Sequence, residues 1–530
     1  MQTEQELCFG LHRLNLQTLQ LRRGQQEVKL TPKALAVLRV LVAQPGQIVT
    51  KDELFQAVWP QTVVSDDALT TCILELRQAL RDNARQPRYI ETVHRQGYRF
   101  IAPIAPPDTA APPARSSSFK VQGGEEAQPP ALPLPDKPSI AVLPFTNLSS
   151  DPEQDYFGDG LTDDLITDVS KIAALFVIAR HSVFTYKGKA AKVQEISKEL
   201  GVRYVLEGSV RKTDDQVRIN AQLVDTATGH HLWAERYDRP LQDLFVVQDE
   251  ISQKIVTALK VKLTAEEQDR FQRAPTNNLE AYDFYLRGLE SFFDALYKNE
   301  TFAQARQMFE RAIALDSQYA AAHARLGETY FIDWYLQGNR DHGQSLERAF
   351  ELAQRAVALD DALPLPHAML GIILVWKKQH AHALVEAKRA VTLDPNFAEG
   401  YFHLGAILYF AGLPEEGIRA LEQAMRLNPR YPDVYLFNLA ATYRVAGRYE
   451  EALAFGKKFQ ARQPDYRPLP LHLAVCYAEL DRLEEARAEG AEILRLNPNF
   501  SLEGFKHFWP MKDPAVMERT LAALRKAGLK

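Results

Sequence analysis

Residues 65–100 read SDDALTTCILELRQALRDNARQPRYIETVHRQGYRF. Ser65 is a helix-capping residue type, and Asp66 and Asp67 put acids in the first turn, where the helix dipole favours them. Leu69, Ile73, Leu76 and Leu80 then recur at helical spacing and form one apolar stripe. Beyond the helix, Tyr89-Ile90-Glu91-Thr92-Val93 and Gly97-Tyr98-Arg99-Phe100 are two β-prone runs around a short basic turn. A helix with one buried face, followed by a hairpin, closes this region.

Two more helices precede it. Thr31-Pro32-Lys33 supplies a cap and a proline at the first helical position. Leu35, Val37, Leu38 and Leu41 give that helix its apolar side, and Pro45-Gly46 stops it. Thr50-Lys51-Asp52-Glu53 opens the next with a capping box, and Leu54, Val58 and Trp59 point inward. Residues 7–30 alternate weakly between apolar and polar, as a small antiparallel sheet does. Sheet, three helices and hairpin describe a winged helix.

The residues resemble the OmpR/PhoB-type effector domain, whose pattern ends in L-R-x-x-L and then I-x-T-V-x-x-x-G-Y-R-F. Here these are Leu76-Arg77-Gln78-Ala79-Leu80 and Ile90-Glu91-Thr92-Val93-His94-Arg95-Gln96-Gly97-Tyr98-Arg99-Phe100. The resemblance implies that the third helix enters the major groove of double-stranded DNA. The face opposite its buried stripe offers Thr70, Thr71, Leu74, Arg77, Gln78 and Arg81. Thr can meet base edges or the thymine methyl, and Arg can pair with guanine or phosphate. His94 and Arg95 stand at the hairpin tip, where the family reaches the minor groove. Thr50 and Lys51 lie at a helix N-terminus, a natural phosphate seat. One departure is the acidity of the recognition helix, with Asp66, Asp67 and Glu75. It implies modest affinity that depends on dimerisation. It is also the best support for a competing reading, a protein-interaction scaffold whose winged helix has lost DNA binding.

Residues 103–138 hold 10 of the 30 prolines and read as a linker. Residues 139–262 alternate strands and helices, implying an α/β domain. The strands are 140–143, 175–179 and a pair at 203–212 and 216–225; the helices are 155–172, 192–200 and 248–261. IAVLPFTNLSSDPEQDYFGDGLTDDLITDVSKI, LGVRYVLEGSVRK and TGHHLWAERYDR resemble the TolB N-terminal and FlgO-like modules, which implies no established chemistry. Asp159, Asp163, Asp164 and Asp168 read as acids that favour a helix N-terminus rather than a metal cluster. His230-His231 lacks partners at zinc spacing, and Lys187-Gly188-Lys189 lacks the phosphate-loop frame.

Pro395, Pro429, Pro464 and Pro498 stand 34, 35 and 34 residues apart, the tetratricopeptide period. Leu370-Gly371, Leu404-Gly405, Leu439-Ala440 and Leu473-Ala474 fill the first-helix signature. Ala383, Gly417, Ala452 and Ala486 fill the small site of the second. About six repeats are expected over 275–500, with 501–530 capping the stack. Tyr330, Trp334, Tyr335 and Trp376 are candidates for a partner groove, with buried packing as the plainer reading.

The fold class is thus multidomain: a winged helix-turn-helix (α+β) over 1–102, an α/β domain over 139–262, and an all-α tetratricopeptide-repeat solenoid. The whole resembles a CadC/HilA-like architecture without a membrane span. Residues 1–103 carry 13 Lys or Arg against 10 Asp or Glu, a net of +3, so the remainder of the −5 chain carries −8. A basic head on an acidic body suits a polyanion partner. Cys8, Cys72 and Cys476 exclude a disulfide scaffold and point to a reducing compartment. The N-terminus is no signal peptide, and no apolar run reaches the ~20 residues of a membrane span. The expectation is a cytoplasmic transcriptional regulator with no catalytic residues, metal or cofactor. It binds DNA and engages a protein through its repeats; the sequence leaves the oligomeric state open, with a homodimer as one candidate. No receiver domain is present, so input arrives through the middle domain or the repeats.

Overall fold

The computed structural model describes residues 6–9, 12–15, 20–23, 26–28, 30–44, 46–59, 66–80, 82, 87, 89–93, 97–102, 132–149, 151–189, 192–213, 215–265, 267–268, 275–298, 301–337, 343–464 and 466–530. The chain divides into two compact units, 1–124 and 125–530.

In the first unit, β1 (Glu6–Phe9), β2 (His12–Asn15), β3 (Gln20–Arg23) and β4 (Gln26–Val28) form an antiparallel meander. Leu14 faces Leu21 across it, and both are buried. Three helices follow: α1 (Pro32–Ala43), α2 (Lys51–Val58) and α3 (Asp66–Leu80). Their apolar stripes share one core with Leu14, Leu21, Ile90 and Phe100. The expected hairpin is β6 (Ile90–Val93) and β7 (Gly97–Phe100), joined by an unexpected third strand, β5 (Ile48–Thr50). Gly97 lies so close to β5 that a Cβ there would stand 2.1 Å from the Val49 carbonyl oxygen. The glycine of the G-Y-R-F motif is therefore fixed by backbone approach.

The second unit begins with a mixed sheet. Its strands are β8 (Ser139–Val142), β9 (Thr146–Asn147), β10 (Phe176–Val177), β11 (Tyr204–Lys212), β12 (Gln216–Asp225) and β13 (His230–Pro240). The order is β10-β8-β11-β12-β13, with β9 beside β11. The β8 pairings are parallel, whereas β11, β12 and β13 form an antiparallel run. The expected 203–212/216–225 hairpin is present, and β13 extends it by a strand that the sequence reading omitted. The helices are α4 (Asp155–Ser170), α5 (Arg180–Phe184), α6 (Val193–Leu200) and α7 (Leu244–Ala258). The last begins four residues before the expected 248 because Leu244 and Val247 are buried and extend its apolar face.

Six helix pairs follow: α8 (Leu279–Lys298) with α9 (Ala303–Leu315), α10 (Ala320–Gln337) with α11 (Gln344–Leu359), α12 (Pro364–Trp376) with α13 (His380–Leu393), α14 (Ala398–Phe410) with α15 (Pro414–Leu427), α16 (Val434–Val445) with α17 (Tyr449–Arg462), and α18 (Leu469–Glu479) with α19 (Leu483–Leu496). Helices α20 (Leu502–Phe508) and α21 (Pro514–Lys526) close the chain. The repeat signature has a steric cause. A Cβ on Gly405 would meet the Leu421 side chain at 2.6 Å and the Gly417 carbonyl oxygen at 3.2 Å. No helix among the described residues is long and apolar enough to cross a membrane.

The middle domain and the first repeats share a hydrophobic core. The Asp394-Pro395-Asn396 turn sits against the end of α4 and the β10 edge. Ser170 donates to Asp394 at 2.5 Å, Asn396 Nδ2 donates to the Ser170 carbonyl at 2.7 Å, and the Val177 N–H donates to Asn396 Oδ1 at 3.2 Å. One repeat on, the Ala179 N–H donates to the Leu427 carbonyl at 2.9 Å, and Ser182 Oγ donates to Asn428 at 2.5 Å. The turns that end two repeats thus satisfy polar groups at one edge of the sheet.

Candidate nucleic-acid interface

Helix α3 buries Leu69, Cys72, Ile73, Leu76 and Leu80. Thr70, Thr71 and Leu74 are exposed on the opposite side, and Leu74 is 58% exposed. Spacings of three and four residues stack these three along one face. Leu74 is the apolar member of this exposed face, beside two threonines that can hydrogen-bond.

Arg77 is placed differently from the outward, base-reading position expected of it. It is half-buried, and its Nη2 donates to the Ile90 carbonyl at 3.0 Å and to Thr92 Oγ1 at 2.8 Å. It ties α3 to the first strand of the hairpin. Asp82 adds a second tie by accepting the Ile90 N–H at 2.7 Å. Glu91 and Arg99, cross-strand neighbours, pair at 3.3 Å. The L-R-x-x-L and I-x-T-V motifs therefore meet in space: the arginine of one holds the backbone and threonine of the other.

Glu75 also changes role. Its carboxylate accepts from the Thr31 N–H at 2.6 Å and from Thr31 Oγ1 at 2.7 Å, at the start of α1. It is occupied with helix packing, not aimed at a phosphate backbone. Lys33 makes the matching tie to α2, donating to the Val58 carbonyl at 2.7 Å beside the Trp59 ring. The α2 capping box is complete: Thr50 N–H and Oγ1 each reach Glu53 Oε2 at 2.8 Å, and Glu53 N–H returns to Thr50 Oγ1 at 3.3 Å. Those hydrogen bonds hold the Glu53 carboxyl below its ordinary pKa. Thr50 is exposed with its hydroxyl engaged in the cap, and Lys51 is half-buried beside it. Arg81, His94, Arg95, Ser65, the Gln78 side chain and the Asp66 and Asp67 side chains lie outside the described residues, as does linker 103–131.

The acids of α4 form a junction instead of a reactive cluster. Lys187 pairs with Asp159 at 2.7 Å, Arg180 with Asp163 at 3.4 Å, and Lys171 with Asp168 at 3.2 Å. Asp164 accepts from Gln248 at 2.9 Å and from the Tyr282 hydroxyl. Burial pushes its pKa up to about 7. The expected helix-dipole role does not account for Asp163, Asp164 and Asp168, which lie well inside the helix where it packs against neighbours. Among the described residues, no group of three His, Cys, Asp or Glu is arranged to hold a metal. A cavity of about 850 Å³ lies on the polar face of the sheet, among Tyr186, Lys189, Ser209, Asn220 and Gln222. Its amides are engaged laterally: Asn220 donates to Ser209 at 3.0 Å and Gln222 to Glu207 at 2.5 Å.

The aromatic residues of the repeats pack internally. The Trp376 ring meets those of Trp334, Tyr335 and Phe410, and also Phe508 at 5.3 Å and Trp509 at 5.8 Å. Trp509 Nε1 donates to the Tyr409 hydroxyl at 3.3 Å. Tyr330 lies under the Arg306 guanidinium.

Residues 25–100 match the family described as "Transcriptional regulatory protein, C terminal". Residues 136–254 match "HilA/YgeH-like transcriptional regulator, second domain". Residues 398–431 and 446–502 match two families described as "Tetratricopeptide repeat". Over 255 residues the chain is 48% identical to "Putative adenylate cyclase 3" of Rhizobium meliloti (strain 1021), covering 48% of this chain and 43% of that protein. It is 24% identical over 356 residues to "Transcriptional regulator HilA" of Salmonella typhimurium (strain LT2), covering 67% of this chain and 58% of that one. It is 29% identical over 143 residues to "Transcriptional activator CadC" of Escherichia coli (strain K12), covering 26% and 25%. The chain spans about half the length of the first two relatives.

Proposed function

We propose that this chain, which joins an OmpR/PhoB-type winged helix and a HilA-like second domain to tetratricopeptide repeats, is a DNA-binding transcriptional regulator and not an enzyme. The observation that carries the reading is the solvent exposure of one face of α3. Thr70, Thr71 and Leu74 point away from a complete core, on a helix braced against its wing by Arg77. In the major groove, Leu74 meets thymine methyls and the threonines meet base edges or phosphates. Lys51 and the N-terminus of α2 sit on a phosphate. The wing, with His94 and Arg95 at its tip, reaches the adjacent minor groove, and Gln78 and Arg81 extend the contact along the helix. Glu75 no longer argues for a DNA-deficient scaffold, because Thr31 occupies it.

The second unit serves as the input. A small molecule in the cavity beside Ser209 and Asn220, or a protein on the repeats, changes the availability of the winged helix. The protein acts in the cytoplasm, as a homodimer on double-stranded DNA. Asp155 and Asp159 share Lys187, and Asp163, Asp164 and Asp168 are each held by a different partner, so among the described residues the α4 acids are engaged in packing and not in a converging acid, base and nucleophile. The name of the Rhizobium relative makes cyclase activity the enzyme reading to test. The experiment is selection of genomic fragments by the purified chain, with affinity measured across salt concentrations and turnover of ATP measured in parallel. Enrichment of a repeated motif, affinity that falls with salt and no cyclic nucleotide product support the reading. Salt-insensitive or absent DNA binding, or ATP cyclisation, overturns it.

A further inference from the structure

The middle-domain sheet has two edges. The repeats cover β10, whereas among the described residues β13 pairs only with β12. Among the described residues, no backbone hydrogen bond joins β13 to an element on its outer side. It is an eleven-residue strand, His230–Pro240, and most of its length is exposed. A long open ladder is a template for another strand. Charge on such an edge ordinarily keeps other strands away, so the order of the charges decides what it accepts.

When two copies of one strand pair antiparallel, the numbers of facing residues have a constant sum. That sum must be even for facing side chains to share a side of the sheet. Centring the pair on Glu235, Arg236, Asp238 or Arg239 sets a charge opposite itself. Centring it on Tyr237 sets Arg236 opposite the second copy's Asp238 and Glu235 opposite the second copy's Arg239, each twice by symmetry. Neighbouring charges continue both rows. On the helix side, Lys254 pairs with Glu235 at 2.7 Å, and Arg239 with Glu250 at 3.7 Å. Across the two copies the signs then alternate through Lys254, Glu235, the second copy's Arg239 and its Glu250. On the cavity side, Asp238 already meets Arg218 and Arg236, and Arg218, Asp238 and the second copy's Arg236 alternate likewise.

The geometry points to β13 as the dimerisation edge: a second copy of this chain pairs with it antiparallel, centred on Tyr237, to make one continuous sheet. The inference deepens the proposed dimeric reading and rests on it, since a two-fold axis through the middle domains supplies two winged helices to two half-sites. Exposed charge pairs are individually weak. Here the ladder supplies the attraction, and the charges reject the registers that set like charges face to face.

The test uses the full chain in analytical ultracentrifugation, with DNA affinity measured alongside. Arg236→Glu is expected to raise the dimer dissociation constant by about tenfold or more, since it creates two like-charge oppositions. Arg236→Glu with Asp238→Arg is expected to restore it. As an independent check of register, Arg236→Cys mixed with Asp238→Cys, both in a Cys8→Ser background, gives a disulfide-linked heterodimer in preference to either homodimer. A dimer unmoved by Arg236→Glu, or no preferred cross-link, overturns the edge while leaving a dimer intact. A wild-type chain that stays monomeric while it saturates its DNA overturns both the edge and the dimer.

Discussion

Helices α3 and α4 invite opposite expectations from those the structure rewards. In the sequence, α4 is the helix dense with chemistry, with Asp155, Asp159, Asp163, Asp164 and Asp168, whereas α3 is poor in bases and marred by acids. In the structure, α4 lies between its sheet and the repeats, and its acids are tied to Lys187, Arg180, Lys171, Gln248 and Tyr282. Helix α3 spends Arg77 and Glu75 on the wing and on α1, and among the described residues Thr70, Thr71 and Leu74 are exposed on its other face. Charge density marks where a helix is held; the face left open marks where it can act.

The sharpest way to break this comparison is at the junction. Asn396→Ala removes the partner of the Ser170 carbonyl and of the Val177 N–H, both buried. It is expected to cost the second unit about 2–4 kcal/mol in denaturant unfolding and leave DNA affinity unchanged. A loss of DNA affinity without loss of stability would move α4 and its surroundings into the functional site. Next is Asp164→Asn. With a folded pKa of about 7 against 3.8 for an ordinary aspartate, the native state keeps a proton that the unfolded chain has given up. Stability therefore falls as pH rises from about 4 to about 7 and levels off above that. The amide has no such proton to lose and can still accept from Tyr282 and Gln248. The melting-temperature difference between variant and wild type should grow across that window, by the equivalent of about 4 kcal/mol. A difference that shrinks would show a carboxylate stabilised by its site. Smaller again is Arg77→Ala. It should weaken DNA binding about tenfold, lower stability by about 1 kcal/mol and raise amide exchange at Ile90–Val93. Weaker binding with unchanged exchange would return Arg77 to direct contact with DNA.

These placements show what a sequence can carry. The Thr50–Glu53 capping box is legible because its residues are three apart, and the repeats because their period recurs. The bond from Glu75 to Thr31 spans 44 residues and that from Arg77 to Thr92 spans 15, so neither leaves a local pattern. Leu74 was identifiable as outward from periodicity alone. Strand β5 is too short to show a period. Strand β13 was missed because its charges sit on both faces, as an open edge strand permits and a buried one does not. The Asp394-Pro395-Asn396 turn reads as a helix stop, and nothing local announces that its polar atoms reach the β10 edge. The family comparisons agree with the winged-helix, regulator and repeat assignments.

That face is best tested at Leu74. It is exposed, so Leu74→Glu should leave the melting temperature within about 1 kcal/mol equivalent of wild type while setting a carboxylate against the DNA. The account predicts at least about a tenfold loss of affinity for the selected fragment at fixed salt, since the contact is replaced by repulsion. An unchanged affinity in a variant that melts like wild type would contradict it and remove α3 from the DNA.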